Sequence, residues 1–245
     1  MSYNALQATL QKRFSSGLQY QVAYTYSKCL TDSSGYYGSW GGQTTPTSPY
    51  FQNLYDPRAE WGPCYYDTPH TLTSYAVYDL PFGHGKKFGN DVNPVANAVL
   101  GNWQLSGILS LHRGFPLTIS ADDNSGTNSR GARADCNAAP HYLKTSIPTG
   151  GKQWFDPSVY SQPASGFGTC GVGTVRGPGL RTFDLSVQKR FLFTETKSLE
   201  FRTEFINFAN HPIFNSPGAG LGGSLGQVTS SQGERNIQMA LKFYF

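Results

Sequence analysis

No run of apolar residues in this sequence approaches the roughly 18 that a membrane-crossing helix needs, so a helical span is excluded. Charge is scarce too: Asp, Glu, Lys and Arg make up 14% of the 245 residues and leave a formal net charge of +4. The basic residues are spread along the chain without a stripe or reader motif, which argues against a nucleic-acid partner. The four cysteines and five histidines form neither an i,i+4 histidine pair nor a zinc-type cluster. No metal or cofactor is expected. No Ser/His/Asp set can be chosen, because geometry defines one, and the expectation is a protein that is not an enzyme. The opening residues, MSYNALQATLQKRF, lack the apolar core and cleavage site of a secretory signal. An exported protein with this start is expected to be a mature or shortened piece.

What is abundant is glycine, tyrosine and phenylalanine, at 28, 15 and 16 residues, in a chain that is 38% hydrophobic. That mixture favours β-structure and turns over helix bundles. The last ten residues, NIQMALKFYF, separate cleanly at period two. Ile237, Met239, Leu241, Phe243 and Phe245 fall on one side, and Gln238, Ala240, Lys242 and Tyr244 on the other. About ten residues suffice for a tilted strand to cross a bilayer. Six further segments alternate in the same way: Tyr3–Phe14, Leu18–Lys28, Thr68–Leu80, Trp103–Leu111, Phe183–Phe191 and Leu199–Phe208. Thr68–Leu80 is ambiguous, because Thr71, Thr73, Tyr75 and Val77 compete with Leu72, Ala76 and Tyr78 for the apolar side. Leu105, Leu109, Leu185, Phe201, Phe205, Met239 and Leu241 are the expected lipid-facing set. Glu200, Arg202 and Glu204 lie opposite, where a polar interior tolerates charge.

The connections run short, long, medium, long, short, long, so every long one falls at the same end of the strands. Bacterial outer-membrane barrels have that asymmetry, with tight periplasmic turns and long external loops. Parity then places the C-terminus on the periplasmic side. The long loops are expected to carry strand extensions, such as FPLTISA at Phe115–Ala121. A weak repeat, TLQKRF at Thr9–Phe14 and SVQKRF at Ser186–Phe191, ends two strands just before short turns. Its lysines, Lys12 and Lys189, sit on the apolar side near the strand ends, where a lysine can reach back to the interface. Aromatics gather near strand ends, as interfacial girdles require. Alternation is shared with a soluble sandwich, so period alone does not choose between lipid and core.

The phrases YNALQATLQKRFSSGLQYQVAYTYSK, HTLTSYAVYDLPFG, GNWQLSGILSLHRGFPLTI, FDLSVQKRF and FRTEFINFANHPIFNSP together resemble the C-terminal barrel region of TonB-dependent outer-membrane receptors. The resemblance is to the Oar-like branch, whose members carry an N-terminal carboxypeptidase-regulatory-like domain. It implies an all-β fold: an antiparallel transmembrane β-barrel segment with long external loops. About seven strands here would belong to a larger, 22-stranded barrel with a plugged lumen. Residues 1–245 would then be the C-terminal part of such a barrel, without the plug, the regulatory-like domain or the TonB-contacting segment. The implied function is ligand capture and transport across the outer membrane. The implied partners are outer-membrane lipid, the remaining strands and plug from an upstream polypeptide, and TonB only through the missing N-terminal region. The barrel assembly machinery would recognise the terminal aromatics Phe243 and Phe245. A passive pore segment and a soluble β-sandwich binding module are the alternatives.

All four cysteines fall in or beside the two longest loops, two per loop. An even count in an oxidising compartment favours disulfides. Of three pairings, loop membership selects Cys29 with Cys64 and Cys136 with Cys170. The first loop also carries Tyr36, Tyr37, Trp40, Tyr50 and Trp61 among Gly, Ser and Gln, a composition suited to a ligand-contact surface. GFGTCG, Gly166–Gly171, has a dinucleotide-fingerprint spacing but neither the preceding strand nor the following helix, and reads as a flexible loop. Asp122, Asp123 and Asn124 read as a solvated turn.

Overall fold

The computed structural model describes residues 1–33, 39–40, 43–44, 50–148 and 150–245, with 39–40 and 43–44 described by their backbone. The main sheet is built from long strands β1 (Ser2–Ser15), β2 (Leu18–Thr31), β3 (His70–Asp79), β4 (Trp103–His112), β5 (Leu180–Leu192), β6 (Ser198–Ile206) and β7 (Asn236–Tyr244). They lie in sequence order, each antiparallel to the next, with Gly62–Pro63 added beside the far end of β2. Among the described residues no pairing joins β1 to β7, so the sheet is open at both edges.

Residues directly opposite in an antiparallel pair share a face. One such row runs Ile237, Phe205, Leu185, Gly107, Ala76, Tyr20, Lys12. Another runs Phe183, Leu109, Ser74, Val22, Leu10. The opposite face gives Ala240, Arg202, Gln188, Gln104, Asp79, and Gln238, Glu204, Ser186, Ser106, Val77, Gln19. Leu105, Leu109, Leu185, Phe201, Phe205, Met239 and Leu241 therefore share one side of the sheet. Register also resolves β3, setting Leu72, Ala76 and Tyr78 with that apolar side, opposite Leu111, Gly107 and Leu105.

The apolar face has no core beneath it. Leu105, Leu109, Leu185 and Phe205 are half-buried, Phe201, Met239 and Leu241 are exposed, and none of the set is buried. The buried core lies elsewhere, in the long connections. Leu117, Ile119, Ala134, Phe155, Tyr160, Cys170, Val175, Ala219 and Leu225 form it, drawn from residues 113–179 and 207–235. Short antiparallel pairings tie these segments together. Lys152–Phe155 lies between Tyr142–Ser146 and Gln227–Val228, while Asp135–Cys136 pairs with Tyr160–Ser161. The extension expected over Phe115–Ala121 is shorter than the sequence suggests. Pro116–Leu117 is strand, paired with Val175–Arg176, and beyond it only Ser120 pairs, through isolated bridges to Arg133 and Gly220.

The other end is spare. Ser16 and Gly17, with φ of 52° and 77°, make the two-residue turn between β1 and β2, and paired positive φ values match the twist of a hairpin. Glycine is required at the second position. A Cβ there would stand 2.9 Å from the carbonyl oxygen of Asp79, whose N–H donates to the Gly17 carbonyl at 2.7 Å. The β3–β4 connection at this end carries one helix, α1 (Pro94–Leu100).

Candidate functional site

Two surfaces have the makings of a site: the polar face of the sheet, and the cap of long loops. On the polar face, Arg190 pairs with Glu200 at 2.9 Å, and the Tyr244 hydroxyl donates to the same carboxylate at 3.3 Å. Gln104 donates to Asp79 at 2.7 Å, and Arg202 lies 3.4 Å from Glu204. Asp79, Gln104, Arg190 and Glu200 line a cleft of about 270 Å³ toward the short-turn end. A second, of about 400 Å³, sets Tyr75, Ser106, Asp184 and Glu204 beside Val77, Ile108 and Ile206. The charged first cleft suits contact with water or a polar solute.

At the short-turn end the two repeat lysines do something other than reach for solvent. Lys12 donates to the carbonyls of Ser15 and Leu18 at 2.7 and 3.1 Å, closing over its own turn. Lys189 is 2% exposed; it donates to the Gly101 carbonyl, with the Trp103 and Phe191 rings 5.4 and 5.1 Å from its ammonium. A buried ammonium needs such partners.

The cap is held by two disulfides, Cys29–Cys64 and Cys136–Cys170, with Cα separations of 5.4 and 4.9 Å. Each closes within one loop, as loop membership suggested. Polar contacts then lock the loops to each other. Arg133 pairs with Glu60 at 2.7 Å with both side chains almost fully buried, and its Nε donates to the Cys170 carbonyl at 2.8 Å. Gln52 accepts from the Arg133 N–H at 2.8 Å and donates to the Gly168 carbonyl at 3.0 Å. Asp67 pairs with Arg176 at 2.5 Å and accepts from the Cys29 N–H at 2.8 Å, which links the ion pair to the end of β2. The Gly166–Gly171 segment, read as a flexible loop, is thus built into the cap. Sequence reasoning missed Gln52, Glu60, Asp67, Arg133 and Arg176. The ion-pair partners are 73 and 109 residues apart, and nothing local marks them as partners.

Tyr50 and Trp61, two of the expected contact residues, lie on this cap. Arg130 stands 5.5 Å from the Tyr50 ring centroid and donates to its hydroxyl at 3.3 Å. Tyr50, Phe51, Leu54, Tyr55, Arg130 and Phe167 wall a cleft of about 280 Å³. Trp61 is 48% exposed, just past a 3₁₀ turn at Pro57–Glu60. Tyr36, Tyr37 and the Trp40 side chain lie outside the described residues.

Among the described residues no group of three His, Cys, Asp or Glu could hold a metal ion. Asp123 is occupied as a turn residue: Ser125 donates through its hydroxyl and N–H, and Ser129 through its N–H at 2.7 Å. Those bonds, led by the Ser125 hydroxyl, hold its carboxyl below the usual range. Asp156 is lowered likewise, first by Ser158. Burial pushes the Tyr160 phenol up to about 12, against an ordinary 10. A phenol with a raised folded-state pKa contributes stability that is complete below pH 10 and lost as pH rises toward about 12. In an alkaline titration the cap is therefore expected to open in that window, followed by tyrosinate absorbance at 295 nm together with loop proteolysis. Tyr160→Phe should delay the opening; an unchanged profile would remove Tyr160 as its cause.

No curated protein and no solved structure matches the chain. The family model for an outer membrane beta barrel domain matches residues 1–238. That match meets an antiparallel sheet with one exposed apolar face, one charged face and its core displaced into the loops. The chain belongs to the outer membrane beta barrel domain family, and its place is the outer membrane.

Proposed function

We propose that this chain is part of the wall of a TonB-dependent outer-membrane receptor of the Oar-like branch, serving ligand capture and import. The barrel wall is supported by the distribution of apolar side chains, unburied along the sheet and buried in the cap, and the receptor branch by the resemblance of its sequence phrases. In this reading Leu105, Leu109, Leu185, Phe201, Phe205, Met239 and Leu241 face lipid, and the row through Glu204, Arg202 and Glu200 faces the lumen. The cap lies outside the cell, the short turns and the C-terminus in the periplasm. Phe243 and Phe245 present the terminal aromatics to the assembly machinery. The clamped cap, with Tyr50 and Trp61, is the capture surface, and the protein acts by binding and passage without catalysis.

Open edges make the sheet incomplete in lipid. Unpaired backbone groups on β1 and β7 have no water there to bond, at several kcal/mol each. In this reading the wall is completed by strands and a plug beyond residues 1–245, and the contact to TonB is made there too. Residues 1–245, refolded alone in detergent and placed in planar bilayers, are therefore expected to give no discrete conductance. A stable, heat-modifiable monomer with discrete steps would replace the receptor wall with the passive-pore reading.

A further inference from the structure

Helix α1 is inside out for water. Asn93 caps the helix, accepting from the Ala96 N–H at 2.8 Å, and the half-buried Asn97 is turned toward the preceding loop, accepting from the His84 N–H at 2.8 Å. The apolar side chains of the helix point away from the protein. Val95, Val99 and Leu100 are 77%, 63% and 49% exposed. An amphipathic helix on a water-soluble surface has the reverse arrangement.

The helix is also fastened to a particular side of the sheet. Trp103 Nε1 donates to the Val99 carbonyl at 2.8 Å, and Lys189 donates to the Gly101 carbonyl. Trp103 and Lys189 are directly opposite each other, in the row that continues through Phe201 to Leu241. Two side chains of the apolar face thus hold the end of the helix on that face at the short-turn rim. The same connection exposes Phe82 and Phe88, 45% and 49%, with ring centroids 5.7 Å apart. Lys87 stands 5.4 Å from the Phe88 ring centroid, whereas Lys86 lines the cleft of the polar face. Apolar tips with a lysine beside them match a boundary where acyl chains meet anionic phosphates.

We propose that the β3–β4 connection is an interfacial anchor: Val95, Val99 and Leu100 sink into the lipid boundary while Lys87 meets phospholipid phosphates. It rests on the reading that the apolar face of the sheet meets lipid, and extends that surface beyond the strands. The anchor would fix how deep the short-turn rim sits.

The test is a depth measurement on the full chain refolded into vesicles of phosphatidylcholine and phosphatidylglycerol. All four native cysteines are in disulfides, so a cysteine introduced at Val99 is the only thiol to spin-label. Val95→Cys is a second site should Val99→Cys fold poorly. Leu241→Cys reports the sheet, and Tyr55→Cys, at a position 97% exposed on the cap, reports water. Oxygen is expected to relax the Val99 label more than a water-soluble nickel chelate does, placing it about 5–10 Å into the boundary. The Tyr55 label should show the opposite. A Val99 label in water with the Leu241 label in lipid would overturn the anchor and leave the sheet reading standing. A Val99 label shielded from both reagents would overturn it in favour of a protein cover. A Leu241 label in water would overturn both readings.

Discussion

Glu60→Ala is expected to loosen the loop cap by about 3–5 kcal/mol, the cost of leaving a buried charge without its counter-charge. Arg133 would then keep the carbonyls of Cys170 and Ala59 but lose the carboxylate 2.7 Å from its Nη1, in a site where both side chains are almost fully buried. The loss also orphans the Gln52 N–H, which donates to Glu60 at 2.9 Å. Opening of the cap should rise on the order of 10²–10⁴-fold, read by hydrogen exchange at residues 130–136 in the reconstituted protein. Replacing both partners together, Glu60→Met with Arg133→Leu, should cost far less, because the penalty lies in the unpaired charge. The Asp67–Arg176 pair should matter less than Glu60–Arg133, since the Arg176 side chain is 23% exposed and water shares its charge. Equal small losses for Glu60→Ala and the double variant would show that the pair does not hold the loops together.

Arginine on the apolar face is the second large effect. Leu185→Arg or Leu241→Arg should cost about 2–4 kcal/mol if these positions lie near the bilayer midplane. Ser186→Arg or Gln238→Arg, each beside or near the first set in sequence but on the other face, should cost far less. Urea titration of refolding into vesicles supplies the comparison. The contrast follows from register, because a one-residue step along a strand moves a side chain to the opposite face. Equal damage on both faces would contradict a lipid–lumen division.

The main sheet was legible because its strands alternate. β7 reads as Ile237, Met239, Leu241, Phe243 against Gln238, Ala240, Lys242, and register with β6 keeps those sets apart. In β3 period alone failed, since threonine and tyrosine suit either face; only pairing with β4 decided it. The disulfides were legible because two cysteines in each loop left one local pairing. The cap core was not. Leu117 and Val175 meet through strands of two residues, too short for any period, and 58 positions apart by their numbers. The inversion of α1 was equally hidden, because Asn97 reads as polar surface until its backbone partner is known.

The most direct test of the apolar and polar faces is alternation of solvent access along β7. Cysteine is placed in turn at Gln238, Met239, Ala240 and Leu241 in protein reconstituted into vesicles, and each variant is exposed to a water-soluble maleimide. Reaction at 238 and 240 with protection at 239 and 241 is the expected result. A uniform rate at all four positions, or reaction at 239 and 241 with protection at 238 and 240, would contradict it.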